Sequence, residues 1–98
     1  MIRGTTPTLK FNIPFSAALV ETCYVTLSQS GRVVVEKTTE DCEMNGATIL
    51  CKLEQRETLW LNHKKNVDIQ LRVKTKGNAY VSQVFTEPVE QPMKDGEI

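Results

Sequence analysis

A single histidine, His63, is all the imidazole this chain has. Any histidine-based catalysis or metal site must therefore pass through Asn62-His63-Lys64-Lys65, where two adjacent cations oppose metal binding. Zinc needs three or four clustered ligands, and none gather around this stretch, so His63 reads as an exposed turn residue. The glycine-rich and nucleophile motifs GxxxxGK[ST], GxGxxG and GxSxG are missing as well. Aromatic residues are scarce, with three Phe, two Tyr and one Trp. That is too few for the platform of a carbohydrate site or for bases to stack along a basic groove. On this inventory no enzyme, no cofactor and no metal site is expected.

Nor is there an excess of either charge. Twelve basic residues balance twelve acidic ones, whereas a non-specific nucleic-acid binder carries a basic surplus. Near-zero net charge also removes the repulsion that keeps copies apart, which favours self-association. No segment approaches the roughly 18 apolar residues of a membrane-spanning helix. Met1-Ile2-Arg3-Gly4-Thr5-Thr6-Pro7 lacks the apolar core of a signal peptide, so neither membrane insertion nor export is expected and the product should stay in the cytoplasm. The three cysteines, Cys23, Cys42 and Cys51, form no CxxC pair. Their odd number and the expected compartment argue for three reduced thiols. Cys23 and Cys51 fall on apolar strand faces, where cysteine acts as a small hydrophobe. Cys42 lies among Glu40, Asp41 and Glu43, whose charges disfavour a thiolate. That acidic run lacks the spaced ligands of a calcium loop.

What the chain does have is alternation. Leu9, Phe11 and Ile13 share one face of a strand bracketed by Pro7 and Pro14, which suits a sheet edge. Residues 15–21 read as a helical turn or a crossing between sheets. Residues 22–38 read as a hairpin around Gln29-Ser30-Gly31-Arg32, with Cys23, Val25 and Leu27 on one face. Asn45-Gly46 signals a second hairpin, joining a short strand at 40–44 to one carrying Ile49, Cys51 and Leu53. Residues 54–61 break the pattern, and Leu59, Trp60 and Leu61 are expected to plug one end of the core. Val67-Asp68-Ile69-Gln70-Leu71-Arg72-Val73-Lys74 is the clearest strand, four apolar residues alternating with four polar ones. Residues 79–86 return as the final strand.

This pattern predicts an all-β fold, an antiparallel β-sandwich of about seven strands. Its single domain covers residues 1–86, and an acidic, proline-containing tail, 87–98, is extended or loosely ordered. The expected core contains Leu9, Phe11, Ile13, Val25, Leu27, Ile49, Leu53, Val67, Ile69, Leu71 and Val73. Lys64, Lys65, Arg72, Lys74 and Lys76 lie in or beside the clearest strand with only Asp68 opposing them. They form a candidate docking patch for an acidic partner surface, weighed against a plain solubilising face that discourages edge pairing.

Three stretches carry a resemblance: "IRGTTPTLKFNIPF", "CYVTLSQSGRVVVEKTTEDCEMNGATILCKL" and "NVDIQLRVKTKGNAYVSQVFTEPV". Together they resemble a family of small phage and prophage proteins of Gram-positive bacteria, including gut Firmicutes, across nearly all of residues 2–98. The start is similar, in looser form, to the N-terminal domain of upper baseplate proteins of phages that infect such hosts. The resemblance implies an immunoglobulin-like β-sandwich and a structural role, as an accessory tail or baseplate component. Its expected partners are other phage structural proteins and further copies of itself. It places the product in the bacterial cytoplasm and then in the virion, and it carries over no catalytic residue. The competing expectation is a small sandwich that binds a carbohydrate or a peptide.

Overall fold

The computed structural model describes residues 1–98 and contains eight strands, one short α-helix and two 3-10 turns. Strands β1 (Thr8–Asn12), β5 (Thr48–Lys52) and β4 (Cys42–Asn45) form a three-stranded antiparallel sheet in the order β1-β5-β4. The second sheet is built from β3 (Arg32–Thr38), β2 (Val20–Gln29) and β6 (Val67–Thr75). Beyond β6 come β7 (Ala79–Val81) and β8 (Phe85–Glu87), both antiparallel to it. The chain makes the β2–β3 hairpin, crosses to the other sheet for β4 and β5, and returns through α1 (Gln55–Leu59) to place β6 beside β2. The shortest molecular dimension, 17 Å over Cα atoms, is what two layers stacked about 10 Å apart require.

Period-two patterning explains which side of each strand is dry. Val67, Ile69, Leu71 and Val73 of β6 and Cys23, Val25 and Leu27 of β2 are buried. They meet Phe11, Ile49, Cys51 and Leu53 from the other sheet in one apolar cluster of 16 residues. Ten of the eleven expected core residues are buried; Leu9, near the open edge of β1, is half-buried. Each fully buried aliphatic side chain contributes about 1.5–3 kcal/mol by leaving water.

Turn chemistry sets the registers. Ser30 and Gly31 both have positive φ (52° and 77°), as the two-residue hairpin between β2 and β3 demands. Leu27 pairs with Val35 but Ser28 pairs with Val33, so Val34 is the extra residue of a bulge. That bulge decides which valine of Val33-Val34-Val35 faces inward: Val35 is buried and Val33 exposed. In the β4–β5 hairpin Asn45 pairs with Thr48. The loop is therefore Gly46-Ala47, one residue later than an Asn-Gly turn would place it. A 3-10 turn, Thr39–Asp41, occupies the beginning of the expected 40–44 strand.

Three further differences are tertiary. Residues 79–86 are two strands, not one. Arg72 pairs with Val81 and Ile69 with Phe85, leaving three residues opposite Gln70 and Leu71. Ser82 fills the gap: its N–H donates to the Leu71 carbonyl and its hydroxyl accepts from the Leu71 N–H, each at 2.9 Å. Trp60 does not plug the core. It is 59% exposed, while Leu61 and Thr58 are buried. Finally, the first residues of the expected tail, 87–90, are packed onto the body, while residues 91–98 are mostly exposed. Glu87 belongs to β8, Val89 is buried, and Glu90 forms a parallel bridge with Ile2.

The opening segment is latched to α1. The Gly4 N–H donates to Thr58 Oγ1 (2.9 Å), whose hydroxyl donates to the Thr5 carbonyl (2.8 Å). Arg3 donates to the Leu59 carbonyl and pairs with Asp95, both at 2.8 Å. Gly4 has φ +77°, and a Cβ there would stand 3.4 Å from Leu59 Cδ2. The positive φ favours glycine, because a side chain is strained there; the Leu59 contact alone would not exclude a Cβ.

Candidate functional site

The basic residues singled out from sequence do not form one patch. Lys64 and Lys65 are in the turn that precedes β6, and Lys76 follows its other end. A nine-residue strand separates these groups by roughly 30 Å. Arg72 and Lys74 do share a surface, the outer face of the five-stranded sheet. There Arg72 lies opposite Tyr24 and Lys74 opposite Thr22. Both cations are exposed and neither has an acidic partner within 4.0 Å. His63 is exposed in the turn between α1 and β6. No group of three or more His, Cys, Asp and Glu side chains is arranged to hold a metal ion.

A more extensive surface lies along one side of the molecule. There β1 and the β7/β8 pair are edges of the two sheets. Pro7 and Ile13 extend the hydrogen-bonding of β1 to the β5 side, through the Leu53 N–H to Pro7 carbonyl bond and the Ile13 N–H to Ala47 carbonyl bond (2.9 Å each). The opposite edge of β1 has no strand beside it. Phe11 and Phe85 meet across the rim with ring centroids 6.4 Å apart. Shallow depressions flank this pair, one reaching Tyr80 and Ser82, the other Leu9 and Glu87. Val81, Val84 and Phe85 are 52%, 53% and 44% exposed. Sequence reasoning read residues 79–86 as one continuous strand; the break at 82–84 divides it, and Val84 and Phe85 are at the surface. Its only signal in the sequence is Ser82-Gln83, polar residues interrupting an apolar run.

Of the other two edges, β4 and β3, the longer one, β3, is blunted. Lys37 points inward and is buried, with Nζ 2.8 and 2.9 Å from the two carboxylate oxygens of Glu57 in α1. Burial alone would lower the Lys37 pKa, but the Glu57 hydrogen bond and charge, helped by Asp41, outweigh it and hold the ammonium above its ordinary value. Sheet edges that carry an inward-pointing charge resist the addition of another strand.

The three thiols, far apart in sequence, are brought together. Cys42 of β4 lies directly opposite Cys51 of β5, and it packs against the core cluster that contains Cys51 and Cys23 of the other sheet. All three are free. Burial, then the neighbouring Cys42, pushes the Cys23 thiol up to about 12. Cys42 is raised by its hydrogen bond to Cys51 and by burial, while that same hydrogen bond lowers Cys51.

No family model, no curated protein and no solved structure matches this chain.

Proposed function

We propose that this chain is a phage- or prophage-derived structural protein, an accessory tail or baseplate component that works through protein–protein contacts. The observation that carries the reading is the rim on which Phe11 meets Phe85. Two unlike sheet edges lie side by side there with exposed apolar residues between them, while the seven-residue β3 edge carries a buried charge. Exposed edges are templates for strand addition, and a zero net charge adds no long-range repulsion between copies. The occupant proposed for the rim is a second copy of this chain, with other particle proteins as further partners. The setting is the bacterial cytoplasm during assembly and then the virion.

The fold supports the immunoglobulin-like form of this proposal. Three strands in the order β4-β5-β1 face the order β3-β2-β6-β7/β8. These correspond to D-E-B and C′-C-F-G of an immunoglobulin-like sandwich. The parallel Ile2–Glu90 bridge occupies the place of a reduced first strand beside the last. The alternative of a carbohydrate platform draws little support from the exposed aromatic residues. Tyr24 lies on the outer face of β2, Phe85 at the rim and Trp60 after α1, so they belong to three separate elements.

Light scattering across a concentration series tests the proposal. The wild-type chain is expected to self-associate, and Val84→Lys, at a position already 53% exposed, is expected to weaken association at least about tenfold, the factor that 1.4 kcal/mol represents. A wild-type chain that stays monomeric at millimolar concentration, and that binds no product of the neighbouring genes, overturns it.

A further inference from the structure

Cys23, Cys42 and Cys51 come from β2, β4 and β5, and Cys42 pairs directly with Cys51. The β4–β5 hairpin has a two-residue loop closed by the pair Asn45–Thr48. Closing pairs of such loops are hydrogen-bonded, and the two kinds of pair then alternate along the ladder. Met44–Ile49 is therefore non-hydrogen-bonded, Glu43–Leu50 hydrogen-bonded and Cys42–Cys51 non-hydrogen-bonded. Non-hydrogen-bonded pairs bring Cα atoms to about 4.5 Å, inside the roughly 4.4–6.8 Å that a disulfide spans. Side chains of directly opposed residues also point to the same side of the sheet. Accessibility differs sharply within the cluster. Cys23 and Cys51 are 0% exposed, whereas Cys42 is only partly buried.

We infer that Cys42 and Cys51 form an oxidative modification site, which a peroxide converts to a cross-strand disulfide while Cys23 stays reduced. In the first step the Cys42 sulfur attacks one peroxide oxygen. The O–O bond breaks, Cys42 becomes a sulfenic acid, and the thiol proton leaves with the second oxygen as water. In the second step the Cys51 sulfur attacks the Cys42 sulfur. The S–O bond breaks, and the departing hydroxide takes up the Cys51 proton as a second water. Two electrons pass from the thiol pair to the peroxide, and no other reductant is needed. The lowered Cys51 thiol is the better nucleophile for the second step. Cys23, pushed up to about 12, competes poorly. The same raised state of Cys42 makes the first step slow, on the scale of unactivated thiols.

The test treats the folded, reduced protein with millimolar hydrogen peroxide, quenches with catalase, unfolds and alkylates it, and digests it with trypsin. Tryptic peptide 38–52 contains both Cys42 and Cys51, whereas Cys23 falls in peptide 11–32. The expected result is peptide 38–52 unalkylated and lighter by the two thiol hydrogens, with peptide 11–32 fully alkylated. Titratable thiols fall from three to one and return with dithiothreitol. Oxidation of Met44 adds an oxygen to the same peptide and is resolved in the same spectrum. Cys42→Ser, a near-isosteric change at a partly exposed position, should keep both remaining thiols reduced. Three surviving thiols in the wild type, a cross-link joining the two peptides, Cys42 carried on to a sulfinic acid without a cross-link, or a Cys23–Cys51 disulfide in Cys42→Ser would each overturn the inference.

Discussion

Replacing Glu57 by glutamine tests whether the inward Lys37 depends on its partner. The carboxylate has two tasks. It receives both short hydrogen bonds from Lys37 Nζ, at 2.8 and 2.9 Å, and its Oε1 accepts the Glu54 N–H at 2.7 Å as a cap for α1. The Glu57→Gln side chain would retain an oxygen for the cap but leave an ammonium with 8% side-chain exposure facing a neutral amide. Breaking one side of a buried pair costs about 3–5 kcal/mol. Glu57 keeps 12% side-chain exposure, so water can approach, and the expected loss is at the lower end, about 3 kcal/mol. For a domain with a total stability of about 5–15 kcal/mol this is a large share. Lys37→Met removes the cation, and the cap hydrogen bond survives. It leaves the Glu57 carboxylate without its cation, so it should also cost about 1–3 kcal/mol, and the double variant should recover part of either single loss. Urea unfolding followed by circular dichroism measures all four chains; Trp60, already 59% exposed, makes fluorescence a weak probe. The pH dependence has a definite sign. Because Lys37 is raised in the folded state, its contribution is complete below the unfolded lysine value of about 10.4. It is lost as pH rises through the higher folded value, so wild type and Lys37→Met should converge on the alkaline side. A Glu57→Gln cost under about 1 kcal/mol, or single-variant costs that simply add in the double variant, would refute the buried-pair account.

Leu71→Ala should destabilise by about 2–5 kcal/mol, since Leu71 is fully buried at the middle of β6, opposite Val25; a loss under about 1 kcal/mol in the same urea assay would contradict that placement. Asp41 accepts the Thr38 N–H at 2.9 Å, and that bond, together with the Lys37 charge, outweighs partial burial and holds its carboxyl below the ordinary value. Its contribution is therefore present above the unfolded value of about 3.9 and lost as pH falls through the lower folded one. Asp41→Asn should flatten the acid limb of the stability curve, and an unchanged acid limb would count against the cap.

The period-two pattern and the turn residues were sufficient to place most of the strands. β2, β3, β5 and β6 are where alternation puts them, because a half-buried strand must present one apolar face whatever lies across from it. The hairpin at Ser30-Gly31 was equally legible, since only residues that tolerate positive φ close such a loop. The candidate contact surface was legible only in part. The edge position of β1 follows from its flanking prolines. Arg72 and Lys74 were rightly assigned to a wet face, but their proximity in sequence to Lys64 and Lys65 did not become proximity in space, because a strand extends its residues.

What tertiary structure alone decided is whatever depends on two distant segments meeting. Lys37 is buried because a helix from the crossover brings Glu57 to it; by alternation it was merely the residue after Glu36. Trp60 is outside because Leu61 and Thr58, set by the phase of α1, took the inward positions. The bulge at Ser82 exists because the hydroxyl can replace a ladder carbonyl for Leu71, and it divides what reads as one strand into two along an exposed rim. Cys23, Cys42 and Cys51 became neighbours through the pairing of β4 with β5 and the packing of β2 behind them. Local periodicity determines which face of a segment is dry, since that depends only on residues two apart. It carries no information about which dry faces will meet, because that is set by the free energy of the whole core.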